Sequence, residues 1–180
     1  MVFLQIMHGL KKIVIIGGES TGKSTLCAQL AAHYNTHWVK EYAREYLEKL
    51  QRAYLYTDLL EIAKGQLISE NIAANTANQY LFYDTNLHVI KVWSEHKYKR
   101  CDPFIIEQIN HRKYDAYIPT SPDFPWQSDP LREHPEESMR QYFFKLYKSI
   151  LENDQTPFCI VDGVETNRLK QAIAFIEQLV

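Results

Sequence analysis

Cysteine is scarce and scattered. Cys27, Cys101 and Cys159 show no metal-ligand spacing, and any disulfide scheme leaves one of the three over, so reduced thiols in a cytoplasmic protein are the economical reading. A dominant charge of one sign is also lacking. The formal net charge is −2, which argues against a protein that coats nucleic acid. No apolar run approaches membrane-spanning length, and the apolar stretch in Met1 to Leu10 is too short for a secretion signal. The sequence carries no internal repeat, low-complexity tract or linker. With 180 residues, 46% of them hydrophobic and 23% charged, it reads as one globular domain over residues 1–180 with a sizeable core. The expectation is a soluble cytoplasmic monomer or small homo-oligomer with neither nucleic acid nor membrane as partner.

What is present is more specific. Gly17, Gly18, Glu19, Ser20, Thr21, Gly22, Lys23 and Ser24, followed by Thr25, match G-x-x-x-x-G-K-[ST], the phosphate-binding P-loop. The context agrees with the pattern. Lys12-Ile13-Val14-Ile15-Ile16 is a short β-branched apolar run, as a buried parallel strand requires, and Leu26, Leu30 and Ala31 recur at helical spacing after the loop. Backbone N–H groups of the loop and of the helix start can then converge on a phosphate. Lys23 is expected to reach the β- and γ-phosphates of ATP, and the Ser24 hydroxyl to bind Mg²⁺.

Along the chain, His8-Gly9 reads as a joint after a short lead-in, and Thr36 to Val39 as a second strand. That strand delivers Glu41, Tyr42, Arg44 and Glu45 to the carboxyl edge of the sheet, where open parallel sheets bind ligands. Glu41 and Arg44 could equally be i, i+3 partners on a solvated helix. A helix capped by Thr57-Asp58 follows, with Leu60, Ala63, Leu67 and Ala74 on one stripe. Tyr80 to Tyr83 reads as a buried strand ending in Asp84, which is the placement of a Walker-B aspartate beside Mg²⁺ and the reacting phosphate. The competing role for Asp84 is a cap for the helix from Leu87 to Tyr98, a task Thr85 or Asn86 can also perform.

A short helix from Asp102-Pro103 and a strand over Asp115 to Ile118 come next. Five of the seven prolines then lie between Pro119 and Pro135. A segment so rich in proline cannot be regular structure, and loops of this length are usually lids or binding loops. A mobile lid over about 119–136 is therefore expected. After it the pattern predicts a helix from Glu136 with Met139, Phe143, Leu146 and Ile150 inward, a strand over Phe158 to Val161, and a last helix with Leu169, Ile173 and Ile176 inward. Phe143, Phe144 and Tyr147 are read as packing. The alternation gives an α/β fold, a three-layer sandwich with a parallel sheet flanked by helices.

The P-loop, Glu41-Tyr42-Ala43-Arg44-Glu45, Asp84-Thr85, and Trp126-x-x-Asp129-x-Leu131-Arg132 together resemble the ribosylnicotinamide kinase domain of NadR-type proteins, from about Lys12 to Val180. The resemblance implies a P-loop kinase fold. It also implies ATP- and Mg²⁺-dependent transfer of the γ-phosphoryl group to the 5′-hydroxyl of nicotinamide riboside, a step of pyridine-nucleotide salvage. NadR-type proteins commonly carry an upstream nucleotidyltransferase domain with a His-x-Gly-His motif. Here Met7-His8-Gly9-Leu10 does not match it, so the expected product is the mononucleotide. The segment Ser121-Pro122-Asp123-Phe124-Pro125 does not map onto the family pattern.

Residue chemistry runs in the same direction. Trp126 offers a face to a flat cationic nicotinamide, or else anchors the lid. Glu41 and Asp129 can accept from ribose hydroxyls or offset the ring charge. Arg132 would neutralise charge on the transferring phosphate, or remain a solvated lid charge, and Arg168 is assigned to the adenine. Asp84 is assigned to both the metal and the base, with Glu41 as acceptor binder and alternative base. The alternatives in function are another nucleoside or nucleotide kinase of this fold and a nucleotide-switched regulatory ATPase.

Overall fold

The computed structural model describes residues 9–179; the proposed lead-in and the first half of the His8-Gly9 joint lie outside them. The organising strand is β1 (Lys11–Ile16), whose last four residues are fully buried, as a β-branched run covered on both faces should be. It is followed by α1 (Lys23–His33), β2 (Trp38–Val39), α2 (Tyr42–Lys49), α3 (Tyr56–Ala74) and β3 (Tyr80–Asp84). The second half holds α4 (Leu87–Tyr98), α5 (Pro103–His111), β4 (Ala116–Pro119), α6 (Glu137–Asp154) and α7 (Glu165–Ile176).

All pairings in the sheet are parallel, in the order β2-β3-β1-β4. Alternation along β1 divides the core. Ile13 and Ile15 pack with Leu26, Cys27 and Leu30 of α1 and with Ala172 and Ile176 of α7. Val14 and Ile16 pack with Val92 of α4 and with Phe143, Tyr147 and Leu151 of α6. Helices thus cover both faces, giving the expected three layers. Fully burying one such aliphatic side chain contributes roughly 1.5–3 kcal/mol, so the sheet holds its carboxyl edge rigidly. A third cluster, Ala43, Leu59, Ile62, Ala63, Leu67, Ile90 and Ile105, joins α2, α3, α4 and α5 beside that edge.

Four local expectations shift. The strand expected over Phe158 to Val161 appears as two isolated parallel bridges, Tyr117 with Phe158 and Thr120 with Val161. Its outer side has no further strand among the described residues, so nothing extends the ladder. The second strand shrinks to Trp38–Val39. On α3, Asp58 caps from the third helical position and not from ahead of the helix, its carboxylate accepting from the Leu55 backbone N–H at 2.6 Å; the buried apolar stripe begins at Leu59, not Leu60. On α6 the buried positions are Arg140, Phe143, Tyr147 and Leu151, while Met139, Leu146 and Ile150 pack partly buried against the cluster that holds Phe143, Tyr147 and Leu151. Asn86 caps α4, accepting from His88 N–H at 3.1 Å, which leaves Asp84 free of that task.

Candidate active site

The phosphate loop joins β1 to α1. Gly22 sits in the left-handed region at φ 77° as the N-cap of α1, a conformation that glycine adopts without steric cost. Gly17 is required for close approach: a Cβ there would lie 2.3 Å from Thr120 Oγ1. Behind the loop, the Thr21 and Thr120 hydroxyls are 2.7 Å apart, and Thr21 Oγ1 donates to the Gly18 carbonyl at 2.9 Å. Lys23 Nζ donates to the same carbonyl at 2.7 Å. The lysine therefore folds back along the loop it serves.

Parallel pairing of Ile15 with Asp84 brings the end of β3 beside the loop. Ser24 Oγ donates to Asp84 Oδ2 at 2.5 Å. Asp84 is 2% exposed, and its Oδ1 is buried with no hydrogen-bond partner among the described residues. Burial pushes its carboxyl above the ordinary range, while Lys23 and the Ser24 hydroxyl pull it back. An orphaned carboxylate oxygen next to a hydroxyl is the hard oxygen-donor chemistry that Mg²⁺ takes, so these residues fit that ion.

Glu41 lies between β2 and α2 and enters the same cleft of about 1280 Å³ as the loop and Asp84. Desolvation pushes its carboxyl up to about 7; Lys23 opposes the shift, and Asp84 and Glu19 add to it. Gln66 Oε1 accepts from Tyr42 N–H at 2.9 Å, which pins the start of α2. The Tyr42 ring packs against Gly65, where a Cβ would lie 2.0 Å from it.

The segment between Thr120 and α6, expected as a lid, is bonded onto this edge. Glu19 Oε2 accepts from the backbone N–H groups of Glu133 and His134 at 2.9 and 3.0 Å. Ser20 Oγ accepts from Gln127 N–H at 2.8 Å. Arg44 and Asp129, both expected at the substrate, meet each other at 2.8 Å and line the cleft. Arg132 lines the cleft as well, 3.5 Å from Ser20 Oγ.

Two expected site residues stand elsewhere. Trp126 is not among the cleft-lining residues; its ring has the Arg132 and Arg140 guanidinium groups each 5.9 Å from its centroid. Arg168 is 2% exposed and spends its donors on the carbonyls of Gly163, Thr21 and Ser121 and on Asp123.

A family profile described as AAA domain matches residues 12–168. The chain belongs to that family. Over 157 residues it is 31% identical to the "Trifunctional NAD biosynthesis/regulator protein NadR" of Escherichia coli (strain K12), covering 85% of this chain and 38% of that protein. The chain thus spans well under half the length of this curated relative. Among solved structures, NadR in complex with NR superposes with a TM-score of 0.82 at 24% identity, over 96% of this chain and 52% of that one. Deoxyadenosine kinase from M. mycoides does so with a TM-score of 0.64 at 16% identity, over 93% of this chain and 99% of that one. The fold is that of the P-loop kinases.

Within this AAA domain, Trp93, Phe124 and Arg140 are among the cleft residues that escaped the sequence reading. Val89 and Trp93 share the cleft at i, i+4 spacing, a stripe that could have been read downstream of Asp84. Arg140 was signalled too, as a cation in register with Phe143 and Tyr147 on the buried face of α6. It donates to the carbonyls of Ser20 and Phe124 at 3.3 and 2.6 Å. Phe143 and Tyr147 do pack in the core, and they also form part of the cleft wall.

Proposed function

We propose that this protein is an ATP-dependent nucleoside kinase that transfers the γ-phosphoryl group to the 5′-hydroxyl of nicotinamide riboside. The observation that carries the reading is the meeting of Ser24 and Asp84 at the P-loop, in one cleft with the protonatable Glu41. Similarity to NadR and the fold shared with nucleoside kinases support it.

In this reading the loop N–H groups of Gly17 to Thr25 cradle the phosphates, and Lys23 leaves the Gly18 carbonyl for the β- and γ-oxygens. Ser24 and Asp84 would hold Mg²⁺, which when bound offsets the phosphate charge. We assign the two carboxylates different tasks. Asp84 already engages Ser24 and so belongs to the metal. Glu41, with its carboxyl near 7, is tuned for general base catalysis. It accepts the proton of the 5′-hydroxyl as that oxygen bonds to the γ-phosphorus, the bond to the β–γ bridging oxygen breaks, and ADP leaves. Arg132 comes from the lid to the oxygens that gain charge. Tyr42, Arg44 and Asp129 bound the acceptor side, with the Arg44–Asp129 pair closing the lid across it. Trp126 anchors the lid, its ring beside Arg132 and Arg140.

The test is ADP release from Mg-ATP with nicotinamide riboside, adenosine, deoxyadenosine and uridine as acceptors. The expected result is the highest kcat/KM with nicotinamide riboside. Preference for another nucleoside would change the acceptor, and ADP release indifferent to every acceptor would remove the kinase.

A further inference from the structure

The segment that does not map onto the family pattern, Ser121 to Pro125, is firmly built. Ser121 N–H donates to the Val161 carbonyl at 2.9 Å, and its own carbonyl accepts from Arg168 Nη2 at 3.0 Å. Pro122 is buried. The Asp123 carboxylate accepts from Gly163 N–H at 2.7 Å and from Arg168. The Phe124 carbonyl accepts from Arg140 Nη2 at 2.6 Å. Phe124 is therefore fixed from α6 on one side and from the entry to α7 on the other. Phe124 lines the cleft, and the Arg168 guanidinium lies 5.0 Å from its ring centroid. With its donors spent on protein oxygens, Arg168 can back this ring but cannot reach a ligand.

The P-loop gives the cleft a direction. Lys23 and Ser24 serve the terminal phosphates of a donor. Thr25, one residue deeper into α1, lines the cleft together with Glu165, the first residue of α7. Gln29 Nε2 donates to Glu165 Oε1 at 2.6 Å and ties the two helices there. A triphosphate seated on the loop thus runs past Thr25 towards the entry to α7. The Asp123–Gly163 bond puts Phe124 beside that same entry.

We propose that Phe124 is the platform on which the nucleobase of the phosphate donor stacks, and that the 121–125 segment selects the donor. This inference rests on the phosphate-donor reading of the P-loop given above. A flat heteroaromatic base gains by offset stacking on a ring held rigidly in place, and Arg168 behind the ring stiffens it. Stacking is tolerant of base identity but grows with ring area, so purine triphosphates are favoured over pyrimidine ones.

Calorimetric titration of the full chain with the non-hydrolysable analogue AMP-PNP, and separately with inorganic tripolyphosphate, both with Mg²⁺, tests this. Phe124→Ala should weaken AMP-PNP about 10-fold, the size of one lost base–aromatic stack, and leave tripolyphosphate unchanged. Phe124→Tyr should restore the analogue, and the wild-type preference for ATP over CTP should narrow in Phe124→Ala. Unchanged AMP-PNP binding in Phe124→Ala would overturn the proposal. Equal weakening of both probes would overturn it as well, because the residue would then be shaping the loop. A wild-type protein that binds neither probe would overturn the donor reading and this proposal with it.

Discussion

The two walls of the cleft are held by opposite means. The phosphate-loop wall is made of neighbours in sequence and in the sheet: Gly17 against Thr120, Gly22 at the helix start, and Asp84 paired in register with Ile15. The lid wall has no regular structure between Thr120 and α6 and is held by long-range side-chain bonds. Glu19 reaches Glu133 and His134, Ser20 reaches Gln127, Arg44 reaches Asp129, and Tyr54 reaches Glu133 at 2.9 Å. Removing one lid bond leaves several others, whereas the first wall has no substitute for its lysine or its aspartate. Single changes should therefore be severe on one side and graded on the other.

The largest effect is expected at Lys23. Lys23→Ala should lower kcat/KM by roughly 10³-fold or more, because charge stabilisation on the transferring group is lost. The circular dichroism spectrum should stay unchanged, since the side chain makes one bond, to Gly18. Near-normal turnover would erase the asymmetry between the walls.

Asp84→Asn should follow, with kcat reduced roughly 10²-fold as the ion's charge stabilisation is weakened, and partly restored by raised Mg²⁺. Kinetics over a range of Mg²⁺ concentrations check it. If the ion restores nothing while ATP binds normally, Asp84 is not the carboxylate that holds it.

Glu41 provides a pH-dependent comparison on the acceptor side. Its folded carboxyl is raised to about 7, so folding favours the protonated form. The stability this lends is fully present below the ordinary value near 4.3 and is lost as pH rises through about 7. Activity should move the other way, rising through the same window as the carboxylate forms. Glu41→Gln should flatten the fall in Tm between pH 5 and 8 and remove most of the turnover. Thermal melts and rates taken at the same pH values check both halves, and an unchanged Tm slope in Glu41→Gln would contradict the assignment.

The smallest effect belongs to the lid. Arg44 is 51% exposed in its pair with Asp129, and ion pairs of that kind contribute roughly 0.2–1 kcal/mol. Asp129→Asn should therefore change kcat/KM by only about 2–5-fold, with the difference shrinking as salt is added. A loss as large as that at Asp84 would mean that Asp129 touches the acceptor itself.

The same division explains what could be read from the sequence. Strand, glycine turn, lysine and serine are contiguous, so the phosphate loop and its place between β1 and α1 were legible. Asp84 was legible because a buried apolar strand announces its own end. The lid was legible only as a lid. That Arg44 and Asp129 meet each other, that Arg168 turns away from the cleft, and that Phe124 enters it all depend on side chains 16–147 positions apart in sequence. No local pattern encodes such pairings. The strand expected at Phe158 to Val161 became two bridges for a related reason: pairing at a sheet edge depends on what lies beyond the edge.

One measurement bears most directly on the central claim. Single-turnover reaction of Mg-ATP carrying a labelled γ-phosphate with nicotinamide riboside, run beside Lys23→Ala, follows the phosphoryl group itself. The account predicts that the label appears in nicotinamide mononucleotide at the 5′-position, only when riboside is present, and not with Lys23→Ala. Label released as inorganic phosphate at the same rate with and without riboside would contradict it and mark the protein as a nucleotide-hydrolysing switch.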